Sequence, residues 1–233
     1  MAAKSNPVPS VWARQQAEPE QPALSRRSIV REAIAMLDAD GIEALSMRKL
    51  GTRLNAGATS LYRHVATKDE LMELAVDEVF GEIAVPAEPA VDWRAGVVEA
   101  AEAFRATALR HPWLASVLGQ AGLAYLGPNL MAFTKWLAEL FATAGFADPS
   151  RPAEPLLAYV VGMSTTEAAW LTTVARSGET EAEFVARLLP AAQEASGELL
   201  LPADVAAADL AGLREEKFRY GLDVVLDGLS MRL

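Results

Sequence analysis

Apolar residues recur at three- and four-residue intervals along most of this chain, the signature of helices with one buried face. Ser25 is a suitable N-cap, Ile29, Val30, Ala33, Ile34 and Leu37 give the helix behind it an inner face, and Gly41 ends it. Ser46 caps a second helix in which Met47, Leu50 and Leu54 point inward while Arg48, Lys49 and Arg53 stay near water. Asn55, Ala56 and Gly57 break it, since Asn and Gly tolerate left-handed backbone angles. A short helix over 58–64 buries Leu61 and offers Thr59, Ser60, Tyr62 and Arg63 outward. Thr67 and Glu70 form a capping box that starts a longer helix over 67–83. Two helices at a steep angle, the second short and rich in hydroxyl, phenol and guanidinium groups, suit insertion into a DNA major groove.

Beyond a junction marked by Pro86 and Pro89, the same periodicity predicts helices over 92–110, 112–118, 128–145, 153–176, 180–188 and 207–231, with no strand pattern in this part. The expected fold class is all-α: an arm over 1–24, a three-helix DNA-binding head with a connecting helix over 25–85, and a helical body over 86–233. The helix over 153–176 is apolar nearly all round, so it must be covered all round. In the last helix Phe218, Leu222, Val225 and Leu229 follow helical spacing, and Gly221 and Gly228 sit one heptad apart. A mid-helix glycine costs about 1 kcal/mol relative to alanine, so both glycines predict a close approach by a partner backbone, the alternative being plain packing within the chain.

Charge sharpens the division. The net charge of −10 argues against nucleic acid only until the chain is split. Residues 1–68 carry 10 Lys+Arg against 6 Asp+Glu, and residues 69–233 carry 11 against 25, so a head of +4 sits on a body of −14. The chain has no cysteine, which excludes disulfides and thiolate metal sites and suits a reducing, cytoplasmic setting. The arm holds four prolines and balanced charge. It is either a leader without fixed structure, the reading its balanced charge favours, or a minor-groove reader in which Arg14 joins Arg26 and Arg27. The uncharged run 111–134 contains too many glycines and prolines for a membrane span.

The run SRRSIVREAIAMLDADGIEALSMRKLGTRL, the turn after it and TSLYRHVATKDEL together resemble the amino-terminal domain of the TetR family of bacterial repressors. Shorter pieces resemble the tetracycline-repressor-type carboxy-terminal domain: Asp92-Trp93-Arg94, Arg110-His111-Pro112-Trp113, Gly127-Pro128-Asn129 and the stretch from Phe218 through Asp223. The resemblance implies DNA contacts from Ala58, Thr59, Ser60, Tyr62, Arg63 and His64, with Met47 and Arg48 from the preceding helix and Lys68 from the next. Arg48 is the expected guanine reader, because a guanidinium can bond O6 and N7 together. Tyr62 and Lys68 are expected on phosphates. It also implies a homodimer through a four-helix bundle, with Phe218, Gly221, Leu222, Val225, Gly228 and Leu229 at the seam.

The family's body holds a small-molecule pocket, and here the expected lining is Phe104, Trp113, Leu118, Met131, Trp136, Met163, Glu167 and Trp170, with Tyr125 nearby and Glu167 either an orienting group or, equally, held in a salt bridge or exposed at an edge. The histidines with which the tetracycline repressor holds its drug–magnesium complex have no counterpart here: Ala84 and residues 117–119 stand in their place. The implied ligand is therefore an apolar natural product rather than tetracycline. Only two histidines are present, and no phosphate loop or nucleophile elbow is found, so no enzymatic activity, metal or cofactor is expected. The implied function is a repressor that binds a palindromic operator as a homodimer and is released by its ligand. The rival reading is a helical ligand-binding or enzymatic protein with a vestigial DNA-binding head.

Overall fold

The computed structural model describes residues 24–84, 92–118, 126–196 and 209–233. The arm, the proline junction and Tyr125 lie outside these. Ten α-helices follow one another, α1 Arg26–Asp40, α2 Met47–Arg53, α3 Ala58–Leu61, α4 Lys68–Phe80, α5 Trp93–Arg110, α6 Trp113–Leu118, α7 Pro128–Ala144, α8 Ala153–Ser177, α9 Glu181–Ser196 and α10 Leu210–Ser230. A short 3-10 turn, Ile42–Ala44, joins α1 to α2, and no strand occurs among the described residues. The fold is all-α, with a helix-turn-helix near the amino terminus.

The caps lie where short polar side chains can reach orphan amides. Ser25 and Ser28 bond reciprocally at the start of α1, Ser46 accepts from the Lys49 amide at 3.2 Å, and Asp92 from the Arg94 amide at 2.9 Å. Thr67 accepts from the Glu70 amide at 2.9 Å, but the Glu70 carboxylate reaches back to the Ala66 amide, one residue before the expected box partner. Two expectations need correction. α3 ends at Leu61, with Tyr62, Arg63 and His64 in the turn that follows, and α9 runs on to Ser196 with Pro190 inside it. A proline removes one amide donor without necessarily ending a helix.

The turn between α2 and α3 depends on two residues. Asn55 takes the left-handed conformation, φ +50°, whereas Gly57 is extended at φ −68° and precedes α3 as its N-cap. Gly51 is buried in α2, where a Cβ would sit 2.6 Å from the Ala56 carbonyl oxygen, and this close approach lets the turn fold back onto α2.

α4 belongs to two cores at once. Leu71, Met72, Ala75, Val76, Val79 and Phe80 are all buried, and the helix packs on α1 in the head and on α7 in the body. Phe80 meets the rings of Phe104 and Phe133 at 6.0 and 5.8 Å. α7 begins at Gly127, which has no side chain to cap it. Asp77 of α4 does so instead: its Oδ1 accepts from the amides of Asn129 and Leu130 at 2.9 and 3.0 Å, and the Asn129 side chain donates to the Asp77 carbonyl at 3.0 Å. α8 then packs against α5, α6 and α10.

Four substitutions test these local arguments in urea unfolding. Asp77→Ala leaves the α7 amides without an acceptor and should cost about 1–2 kcal/mol, with Asp77→Asn, which keeps one oxygen, costing less. Gly51→Ala drives a methyl into a backbone carbonyl and should cost about 1–3 kcal/mol. Gly57→Ala meets nothing and should cost less than about 1 kcal/mol. Equal midpoints for the two alanine variants would remove the close-approach explanation of the turn.

Candidate functional site

The helix-turn-helix presents a polar outer surface. Arg48, Thr59, Tyr62, Arg63 and Lys68 are exposed, and Ala58, Ser60 and His64 are half-buried at its edge. None of the ion pairs among the described residues engages Arg48, Lys49, Arg63 or Lys68. The neighbouring cations are spent within the chain: Arg53 pairs with Glu32, and Arg26 donates to the His64 carbonyl at 3.1 Å and lies 3.9 Å from Glu70. Free cations therefore gather on the α2–α3 edge and at the start of α4. Met47 does not belong to this group. At 8% exposure its side chain packs beneath α2 as the first inward position of the helix, so it supports the surface without reaching it.

The eight expected ligand residues do not form one cluster. Met163, Glu167 and Trp170 of α8 line a cavity of about 550 Å³. The other walls come from α9 and α10, notably Val185, Leu188, Leu189, Leu213, Arg214 and Lys217. Phe104 lies in the inner core against Phe80, and Trp136 is buried beside Phe133. Trp113 donates its ring nitrogen to Asp38 at 2.7 Å, on the head side. Leu118 is half-buried at the end of α6, and Met131 faces outward from α7. Helical periodicity gave each residue an inward face without saying which neighbour that face meets. The contribution of α9 was missed because that helix was expected to stop before Pro190; its apolar Val185, Leu188 and Leu189 were the available signal.

Glu167 is not free to orient a ligand. Its side chain is 9% exposed and accepts both Arg105 nitrogens at 2.7 Å and Arg214 Nε at 3.1 Å. Arg214 also pairs with Glu181, whose Oε1 accepts from Trp170 Nε1 at 2.7 Å. The hydrogen bonds that Arg105 donates to Glu167 raise the Arg105 pKa above its ordinary value, more than burial lowers it. This chain of alternating charges ties α5, α8, α9 and α10 together, and breaking one member would strand the others. Lys217, at the cavity's rim, has no ion-pair partner among the described residues. Two buried polar atoms, Trp136 Nε1 and Ser164 Oγ, also have no hydrogen-bond partner there.

At the expected dimer seam the structure divides the residues. Phe218 and Leu222 are buried in the chain's own core, Phe218 against Tyr159 at 5.9 Å. Gly221 is approached by the Tyr159 ring of the same chain, whose hydroxyl donates to the Phe218 carbonyl at 2.8 Å, rather than needing a partner backbone. Val225 and Leu229 are half-buried. Gly228 is exposed with open space around it. The outer face of α10 instead carries Tyr220, 74% exposed, and Val224, with Met231 exposed just past its end, and Pro155, Ala158 and Gly162 are exposed on α8, which packs against α10.

His111, the C-cap of α5, places one ring nitrogen 2.8 Å from Asp38 of α1 and the other 3.2 Å from Glu82, just past α4. Arg110 donates to the same Glu82 at 2.8 Å. The hydrogen bonds from Arg110 and His111 lower the Glu82 pKa despite burial, which acts the other way as the largest single influence. No described helix is long and apolar enough to cross a membrane.

Comparison with known proteins agrees with this geometry. Residues 29–75 match the model for bacterial regulatory proteins of the tetR family, and residues 85–233 match the tetracyclin repressor-like carboxy-terminal domain. An HTH-type transcriptional regulator of Saccharopolyspora erythraea is 40% identical over 69% of each chain. The HTH-type transcriptional repressor DrrR1 of Streptomyces coeruleorubidus is 32% identical over 91% of this chain and 79% of its own. Among solved structures, the TetR family protein ActR of Streptomyces coelicolor in complex with actinorhodin superposes with a TM-score of 0.69 at 28% identity, covering 89% of this chain and 95% of that one. With a helix-turn-helix head and a helical body that each match their family model, the chain belongs to the TetR family of bacterial transcriptional regulators, a family of DNA-binding proteins rather than enzymes.

Proposed function

We propose that this chain is a cytoplasmic homodimeric repressor that binds a palindromic operator and leaves it when a small, largely apolar ligand occupies the body. One observation carries the DNA half: Arg48, Arg63 and Lys68 stand exposed, with no ion-pair partner among the described residues, near Thr59 and Tyr62, in a first stretch, residues 1–68, of net +4 against −14 for residues 69–233. In this reading the α3 segment enters the major groove, Arg48 bonds a guanine edge, and Tyr62 and Lys68 hold phosphates. The acidic body is repelled by the duplex, which orients the head toward it.

The cavity walled by α8, α9 and α10 supports the ligand half. About 550 Å³ suits a small organic molecule, and apolar side chains dominate its lining. Glu167 being committed, Lys217 is the polar group free to orient an occupant. The relative crystallised with actinorhodin supports a ligand-responsive body. Release requires the ligand to favour the state that does not bind DNA, and DNA must then weaken ligand binding by the same factor. For the dimer, the apolar outer face of α8 and α10 supports a twofold seam in which Tyr220, Val224 and Gly228 meet their copies.

A mobility-shift assay with duplexes from the gene's upstream region, at two salt concentrations, tests the DNA half. Arg48→Ala should cost about 1–3 kcal/mol and relax preference at one base pair, while Lys68→Ala should weaken all sequences alike and reduce the salt slope by about 1. The half-sites should lie about one helical turn apart or a multiple of it. A protein that prefers no palindrome over random duplex is not this repressor. Gly228→Leu tests assembly, because a Cβ at this position meets nothing within 4 Å among the described residues. Sedimentation should show the variant's mass falling toward that of one chain, and an unchanged dimer would remove Gly228 from the seam.

A further inference from the structure

A cleft of about 710 Å³ separates the end of α1 in the head from α6 and the second half of α8 in the body. It shares no lining residue with the cavity among α8, α9 and α10. Its volume is that of a site for a small organic molecule.

Its walls hold two carboxylates and, at the edge, one guanidinium. Asp38 and Asp40 both stand in the last turn of α1, a 15-residue helix with no basic residue there. The carbonyl end of a helix already carries partial negative charge, so two carboxylates reverse the stabilising arrangement. Asp38 is satisfied at one oxygen only: Oδ1 accepts from Trp113 at 2.7 Å and faces His111 at 2.8 Å. On the body wall, Thr172 and Thr173 spend their hydroxyl protons on the carbonyls of Ala168 and Ala169, at 2.7 and 2.8 Å, so toward the cleft they can only accept. Leu109, Pro112 and Leu171 supply apolar surface between. Arg176, at the edge, sits in the last turn of α8 and offsets that helix's own carbonyl end. The cleft thus offers acceptors, carboxylates and an apolar floor.

We propose that this cleft is a second effector site, one that takes an amphipathic organic cation. The ammonium group lies against Asp38 and Asp40, and the apolar part lies on Leu109, Pro112 and Leu171. Because one wall belongs to the head and the other to the body, an occupant fixes the two relative to each other. It does so beside the Asp38 contacts that already join them. The consequence for operator binding rests on the DNA-binding reading above; the binding itself does not.

Imipramine, a tricyclic amine that is a cation near neutral pH, serves as probe, with its uncharged parent iminodibenzyl as control. Both are titrated calorimetrically into the full-length protein. Imipramine should bind at least about tenfold tighter than iminodibenzyl, and Asp40→Asn should weaken it about fivefold or more. Ser116→Trp, at an exposed position of α6 in the cleft wall, should abolish binding, while Leu188→Trp in the other cavity should not change it. Bound imipramine should slow amide exchange at the end of α1 and in α6, and operator affinity should change by about fivefold or more. Equal affinity for the two compounds, no binding to the wild type, or binding that survives Ser116→Trp overturns the site. Unchanged exchange at α1 under saturating imipramine overturns the coupling. A wild type that binds imipramine in the cleft but prefers no DNA sequence sinks the repressor reading and leaves the cleft's assignment standing.

Discussion

The carboxylate of Asp77 is the contact on which the arrangement of this molecule turns. It leaves α4, the helix that joins head to body, and closes the amino terminus of α7 by accepting two of its orphan amides. A cap of this kind works only over hydrogen-bond distance and in a narrow range of directions, so it fixes where α7 starts along α4. The apolar face of α4 does the complementary work. Its buried positions serve α1 on one side and α7 on the other, so the head and body have one continuous core. A close-packed interior transmits displacement rather than absorbing it. Any change in the position of α4 is therefore felt at both the helix-turn-helix and the body.

The sequence was most legible where a local rule decides the outcome. Periodicity located all ten helices, and Ser25, Ser46, Thr67 and Asp92 cap them because a short oxygen-bearing side chain needs only its own next turn. It was least legible where the partner is distant in the chain. Nothing local says that Asp77 caps a helix more than fifty residues later, or that Glu167 is consumed by Arg105 and Arg214. The same limit explains Gly221. A glycine in a helix reports a close approach without naming what approaches, and here it is Tyr159 of the same chain. Phe218 and Leu222 follow the same spacing as a dimer seam would, yet one helix has several faces, and theirs is the inner one. Met47 shows the converse: a motif position implied contact with DNA, while the first inward place in a short helix required burial.

Charge is distributed by the same logic of access. Where cations and carboxylates lie inside, as in the run Arg105, Glu167, Arg214 and Glu181, they are interlocked, because an unpaired buried charge is costly and removal of one member strands its neighbours. On the outer edge of the helix-turn-helix Arg48, Lys49, Arg63 and Lys68 have no ion-pair partner among the described residues. Exposed ion pairs contribute little to stability, so leaving these cations single costs the fold little and keeps them available to phosphate. The Arg53–Glu32 pair marks where that surface ends and the head's own packing begins.

The head is held to the body at two separate places, along α4 and at Asp38, where Trp113 and His111 meet the end of α1. A rigid unit fixed at two points keeps one easy motion, rotation about the line between them. To the extent that the α3 segment stands off that line, the rotation displaces it. In a twofold dimer the displacement appears twice and in opposite senses, which changes the spacing of the two α3 segments by more than either moves alone. On the operator reading proposed above, half-sites of fixed separation make the fit sensitive to such a rotation. The two attachments need not be disturbed together. Loosening the polar one at Asp38 frees the rotation, whereas shifting the apolar one along α4 moves its axis, and a ligand that does either has a route to the DNA.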